Sequence, residues 1–254
     1  MSTRLEAFIA DERNQYPHSG VNLFAFALGQ AARYDGFLCI ILSRYSEIGA
    51  DLHNAFSAFT SRLSTAGTHT LSEEDTGAWT RQIELTNLMD LEIESFYLFA
   101  KIFLDHIARF IEEYFGRVRG LSLDSHDDLT KSFQKFKNAK HLSCGDAFQQ
   151  NLVELKNKIA DYRDYQIAHS KNPRITHGTT FGPNNAMKIK RIPLFPTMLE
   201  LQAMQDGVQS ESESLFDLRA ALDAYIEKII SLIADNREKS RYLKPSTVTN
   251  QAAS

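Results

Sequence analysis

Two cysteines in 254 residues, Cys39 and Cys144, are too few for a disulfide framework, and neither sits in a spacing that gathers metal ligands. A reducing compartment fits that usage. The N-terminal stretch MSTRLEAFIADERN carries acids where a secretory leader would have its apolar segment, and the longest uncharged run, Ser19–Ala32, is shorter than a bilayer span. The expectation is a soluble, cytoplasmic protein with no membrane partner. Also missing are the Glu-x-x-His pair of a di-iron bundle, His-Glu-x-x-His, Cys-x-x-Cys, a glycine loop that cradles phosphate and a nucleophile elbow. Those absences point to chemistry with no metal and no cofactor. Basic residues are outnumbered, the formal net charge being −4, so the whole chain is not a general polyanion binder and any nucleic-acid contact needs a local patch.

What is present is helical periodicity. Residues 21–63 carry apolar residues in dense helical phase, one helix or two, with Gly36 as a break or a close-packing point. Ser64–Ser72 has loop composition, and Ser72 with Asp75 three residues on offers a capping box for a long helix to about Phe115. Ile93, Tyr97, Ala100, Leu104, Ile107, Ile111 and Tyr114 form its main stripe, and Phe96, Phe99, Phe103 and Phe110 widen it, the pattern of a helix with several neighbours. Lys101, Asp105 and Arg109 are spaced for a solvated ion-pair ladder on the remaining face. Ser125 with Asp128 caps a short helix to about Lys137, which explains the acidic DSHDD at 124–128 better than a metal site does. Ser143 with Asp146 opens a further helix with the stripe Phe148, Leu152, Leu155, Ile159, Tyr162 and His169, ending near Lys171 because Pro173 disfavours helical geometry at Asn172.

From Arg174 to Pro196 glycine and proline exclude a helix, and Gly-Pro-Asn-Asn between two β-prone runs predicts a small β-hairpin or extended flap. A last amphipathic helix spans about Ser210–Arg237. The fold expected is all-α, an antiparallel bundle of about five or six helices with the flap at 174–196 inserted before the last one, in one domain over 1–244 and with a disordered tail at 245–254.

Arg163 has Ile159, Ala160, Gln166 and Ile167 as its three- and four-apart neighbours, none of them acidic, so its partner lies elsewhere in the fold, across an interface or in a ligand. His169 falls in the expected last turn, where the helix C-terminus favours protonated imidazole. Six positions leave the two side chains about 120° apart around one regular helix. An arginine snorkelling from the rim of the stripe and a histidine capping terminal carbonyls are the structural alternatives. Between Arg163 and Arg191 the basic residues are Arg163, Lys171, Arg174, Lys188, Lys190 and Arg191 against the one acid Asp164, a net +5 that leaves −9 on the rest of the chain. Segregation of that kind suits phosphate-backbone binding, or a hairpin edge protected by lysines. His177 reads as a second contributor or as a loop histidine, and Tyr165 could stack a base whereas Tyr162, in phase with the stripe, reads as core.

The segment Arg163-Asp164-Tyr165-Gln166-Ile167-Ala168-His169, followed by Pro173 and preceded by the phenylalanine-rich helix DLEIESFYLFAKIFLDHIARFIEEYFG, resembles the HEPN superfamily, in the form carried by bacterial defence and toxin proteins. The likeness covers roughly Asp90–Asn172 plus the last helix, which implies a core over 72–238 with N-terminal helices (1–70) outside it. It implies a metal-independent endoribonuclease: His169 as general acid/base, Arg163 as phosphate clamp and Asp164 as the motif's polar residue, with Lys171, Arg174, His177, Lys188, Lys190 and Arg191 available to hold RNA. The partners it implies are a second copy of the chain, RNA such as tRNA as substrate, and an antitoxin or other partner protein. The competing expectation is a non-catalytic HEPN-like module that dimerises or binds a nucleotide or a partner.

Overall fold

Ser-x-x-Asp sequences open three helices, and the computed structural model shows the bonds that do it. It describes residues 4–15, 23–64, 72–160, 175–181, 187–193 and 214–242, with the backbone alone at 23, 60–64, 175–181 and 187–193. Ser72 Oγ accepts the Asp75 N–H at 3.1 Å while the Asp75 carboxylate accepts the Ser72 N–H at 3.0 Å. Ser125 Oγ accepts the Asp128 N–H at 3.1 Å, and Ser214 Oγ that of Asp217 at 3.1 Å. Each satisfies amide groups that a helix N-terminus leaves without an internal partner. The elements are α1 (Arg4–Gln15), α2 (Leu23–Ser64), α3 (Glu73–Phe115), α4 (His126–Ala139), α5 (Asp146–Leu155), a π turn (Lys156–Ala160), and α6 (Leu215–Asp235) followed by a 3₁₀ turn (Arg237–Lys239). The all-α expectation holds. Gly36 does not interrupt α2, α1 was not foreseen, and the tail at 245–254 lies outside the described residues.

The chain divides into two compact units. One comprises Met1–Gly36, Ile102–Lys156 and Asp223–Ser254, the other Phe37–Lys101 and Asn157–Leu222. In the first, the α3 stripe of Leu104, Ile107, Ile111 and Tyr114 is fully buried together with Phe103, Phe110, Phe133 of α4, Leu152 of α5 and Tyr225 and Ile229 of α6. Phe24 meets Tyr114 edge-on at 6.2 Å and Tyr34 stacks on His106 at 5.2 Å, so α2 and α3 run antiparallel here. Glu12 of α1 is buried and receives Nε and Nη2 of Arg237, both at 3.0 Å, plus the Tyr114 hydroxyl at 3.3 Å. That network ties α1 to the end of α6.

In the second unit, Phe37–Phe99 at 5.6 Å, Arg44–Glu92 at 2.6 Å and Phe59–Trp79 at 5.8 Å give the same antiparallel sense to the other halves of α2 and α3. Leu38, Ile41, Tyr45, Leu85, Met89, Ile93, Phe96 and Leu218 fill its core. By length and composition Phe24–Phe59 of α2 could cross a membrane, its mean hydropathy reaching 1.2, although the same stretch is broken by Arg33, Asp35, Arg44, Glu47 and Asp51. A core helix has the same signature, and Phe24, Leu28, Ala31, Leu38 and Tyr45 are its buried side.

Two expectations are corrected. The row Lys101, Asp105 and Arg109 is not a solvated ladder: Lys101 is buried, an Asp105 Oδ1 accepts the His126 N–H at the start of α4 at 2.8 Å, and Arg109 Nε donates to the Asp124 carbonyl at 2.9 Å. The capping box at Ser143 does not form. Gly145 caps α5 with no side-chain bond, because Asn236 holds the Ser143 peptide groups, its Oδ1 accepting the N–H at 2.6 Å and its Nδ2 donating to the carbonyl at 2.7 Å.

Candidate functional site

The helix that leads to the Arg163 motif is built from its packing side. Phe148 of α5 meets Phe133 of α4 at 4.8 Å and Tyr225 of α6 at 6.0 Å, and Leu152, Leu155 and Ile159 continue the buried stripe. Gln149 Nε2 donates to the Thr130 carbonyl at 3.2 Å, which fixes the antiparallel register of α4 and α5. At Lys156 the hydrogen bonding widens to the i→i+5 pattern of a π turn, a form frequent at functional sites. The wider turn takes in about one extra residue and so offsets helical phase by roughly 100° from an unbroken α-helix. Ile159 and Ala160 within it are both buried.

Lys156, the first residue of the π turn, lies 3.5 Å from Asp127 Oδ1, and Lys131 bonds the other carboxylate oxygen. The Lys131 hydrogen bond, helped by the charge of Lys156, holds the Asp127 carboxyl below its ordinary range. The start of α4 and the turn before the motif are therefore joined by an ion pair.

The motif residues themselves, Arg163, Asp164 and His169, lie outside the described residues, as do Lys171, Arg174, Tyr162 and Tyr165. For His177, Lys188, Lys190 and Arg191 the backbone gives a register. Ile175–Phe181 pairs antiparallel with Met187–Pro193, with His177 opposite Arg191, Gly178 opposite Lys190 and Thr180 opposite Lys188. Residues directly opposite share a face and successive ones alternate, so His177 and Arg191 occupy one face and Lys188 and Lys190 the other.

Two histidines that the sequence did not single out are placed by the fold. His126 is wholly buried at the start of α4, edge-on to Tyr225 at 5.9 Å. His106 stacks on Tyr34 with 20° between the rings, one turn before Arg109 on α3. Burial, then the Arg109 charge, lowers its pKa from the ordinary 6.5, which leaves the imidazole neutral at physiological pH. A second arginine–histidine pair thus exists, too weak in sequence pattern to be noticed because three-apart residues on a long helix are common. Tyr225 and Tyr114 are pushed strongly upward by burial, Tyr114 further by the Glu12 carboxylate. A groove of about 440 Å³ between α1 and α2 is lined by Glu6, Ile9, Arg13, Phe26 and Gly29. Among the described residues no three His, Cys, Asp or Glu side chains gather as metal ligands would.

The fold thus defines an all-α protein with long antiparallel helices. No family model, curated protein or solved structure matches it.

Proposed function

We propose that the chain is a metal-independent endoribonuclease of the HEPN kind with a toxin or phage-defence role in the cytoplasm. One observation carries the reading: Arg163-Asp164 and His169 stand at the head of a segment with net charge +5 in a chain whose remainder carries −9. The chemistry asks for those residue types. A planar, permanently charged guanidinium stabilises the oxygens of a phosphorane, and imidazole alone among side chains titrates near neutral pH without perturbation. In the reaction His169 accepts the proton of the ribose 2′-hydroxyl, the 2′ oxygen attacks phosphorus, and the bond to the 5′ oxygen breaks. The leaving oxygen is protonated by an imidazolium or by water, and the products are a 2′,3′-cyclic phosphate and a 5′-hydroxyl.

Arg163 and His169 are six residues apart, so a two-fold homodimer that sets two copies of the segment face to face brings each arginine near the other copy's histidine. The all-α frame and the ion pair that anchors the π turn before the motif are compatible with such a site. An antitoxin or other partner protein would hold it in check. The test is incubation of the purified chain with single-stranded RNA and with tRNA in EDTA, followed by end analysis. Products with 2′,3′-cyclic phosphate ends support the reading. Absence of cleavage on every RNA, with nucleotide or partner binding weakened by Arg163→Ala, would instead establish the non-catalytic module.

A further inference from the structure

Helix α3 has a second apolar face turned away from its core. Leu85, Met89, Phe96 and Ala100 point inward with at most 2% exposure. On the other side Ile83, Leu91 and Leu98 are 44, 53 and 39% exposed, and Trp79, 50% exposed, stands at the margin with its ring 5.8 Å from that of Phe59. At about 100° per residue these four, with Asp90 and Glu94, fall within an arc of about 120° along about 28 Å of helix. Scattered surface leucines need no explanation, but a contiguous stripe of large side chains with a tryptophan at one end marks an interaction site.

The charges on that stripe select the occupant. Asp90 and Glu94 stand one turn apart, both exposed, an arrangement that costs stability in an isolated helix. Partial burial, then the neighbouring Glu94 charge, raises the Asp90 carboxyl above its ordinary value. Among the described residues, Arg44 of α2 is already bound to Glu92 at 2.6 Å and Arg81 to Glu84 at 3.3 Å. A second copy of the chain fits poorly, since two-fold antiparallel pairing about Leu91 would bring each Asp90 beside the other copy's Asp90 and Glu94. Nucleic acid and anionic lipid are repelled by the same carboxylates.

We propose that this face of α3 docks a basic amphipathic helix of a partner protein, whose apolar residues cover Ile83, Leu91 and Leu98 and whose lysines or arginines reach Asp90 and Glu94. Helix-on-helix packing of this kind is read as anchors three and four residues apart with charges at the margin. The inference is independent of the ribonuclease reading.

Trp79 is the only tryptophan, so its emission reports the face directly. The full chain is titrated with three designed helical peptides of equal length: a Leu/Lys amphipath, an Ala/Lys helix of the same charge, and a Leu/Glu amphipath. The Leu/Lys peptide is expected to shift Trp79 emission to the blue with saturation, and the Ala/Lys peptide to bind at least about tenfold more weakly. Asp90→Lys with Glu94→Lys, and separately the milder Asp90→Asn with Glu94→Gln, are expected to weaken the Leu/Lys peptide, the first by at least about tenfold, with the melting temperature unchanged. No shift with the Leu/Lys peptide, an equal response to Leu/Glu or Ala/Lys, or undiminished binding by the lysine variant would overturn the proposal.

Discussion

Replacing Arg237 with leucine should expose how the two ends of the chain are held together. The Glu12 side chain is 1% exposed and its carboxylate receives Nε and Nη2 of Arg237, both at 3.0 Å. Removing the guanidinium takes the two charge-assisted bonds from a desolvated carboxylate that also accepts the Tyr114 hydroxyl at 3.3 Å. Breaking one side of a buried ion pair costs about 3–5 kcal/mol, whereas replacing both partners with neutral groups of similar size costs far less. Arg237→Leu is therefore expected to lose about 3 kcal/mol, or about 6–12 °C in melting temperature for a chain of this size. Glu12→Gln in the same background should recover much of that loss, giving a coupling energy of at least about 1.5 kcal/mol in a double-mutant cycle. The assay is urea denaturation followed by helical circular dichroism on the four proteins. Costs that add within about 0.5 kcal/mol would refute the claim that this pair fastens α1.

Asn236→Ala should cost about 2–3 kcal/mol in the same denaturation assay, because the wholly buried amide bonds both Ser143 peptide groups and the Leu232 carbonyl, the last at 2.8 Å. Ser125→Ala removes the acceptor of the Asp128 N–H and should cost about 1 kcal/mol. Tyr45 is pushed up to about 12 by burial, and Tyr114 and Tyr225 are raised as well. The native state then keeps protons that the unfolded chain releases near pH 10, so stability falls as pH rises above that point, by up to about 1.4 kcal/mol per pH unit for each phenol. In an alkaline titration three of the nine tyrosines should ionise only with loss of helical signal; all nine ionising near pH 10 with the helices intact would contradict the packing described.

Much of the fold is legible in the sequence because local rules carry it. The α3 stripe from Ile93 to Tyr114 is buried throughout, and Leu215, Leu218, Leu222, Tyr225, Ile229 and Leu232 are buried on α6. The boxes at Ser72 and Ser125 close through three-residue contacts, which spacing alone reveals. Ser143 shows where that reasoning stops: its peptide groups go to Asn236, a partner 93 residues away. The same holds for α1, whose polar sequence hides a helix that Leu5, Ile9 and the distant Arg237 anchor. The π turn at Lys156–Ala160, in which Ile159 and Ala160 are buried, also carries no residue signature. Of the candidate site, the order of charges and the Arg163–His169 spacing are sequence properties, and the division of His177 and Arg191 from Lys188 and Lys190 needed the strand register.

The central claim is tested most directly by the single-turnover rate of RNA cleavage in EDTA, measured on the wild-type chain and on His169→Ala at equal folded concentration. The account predicts metal-free cleavage by the wild type and a loss of at least about 10²-fold in the variant, the scale of one acid/base group, with the same melting temperature. Cleavage that persists undiminished in His169→Ala, or that requires a divalent metal, would contradict it.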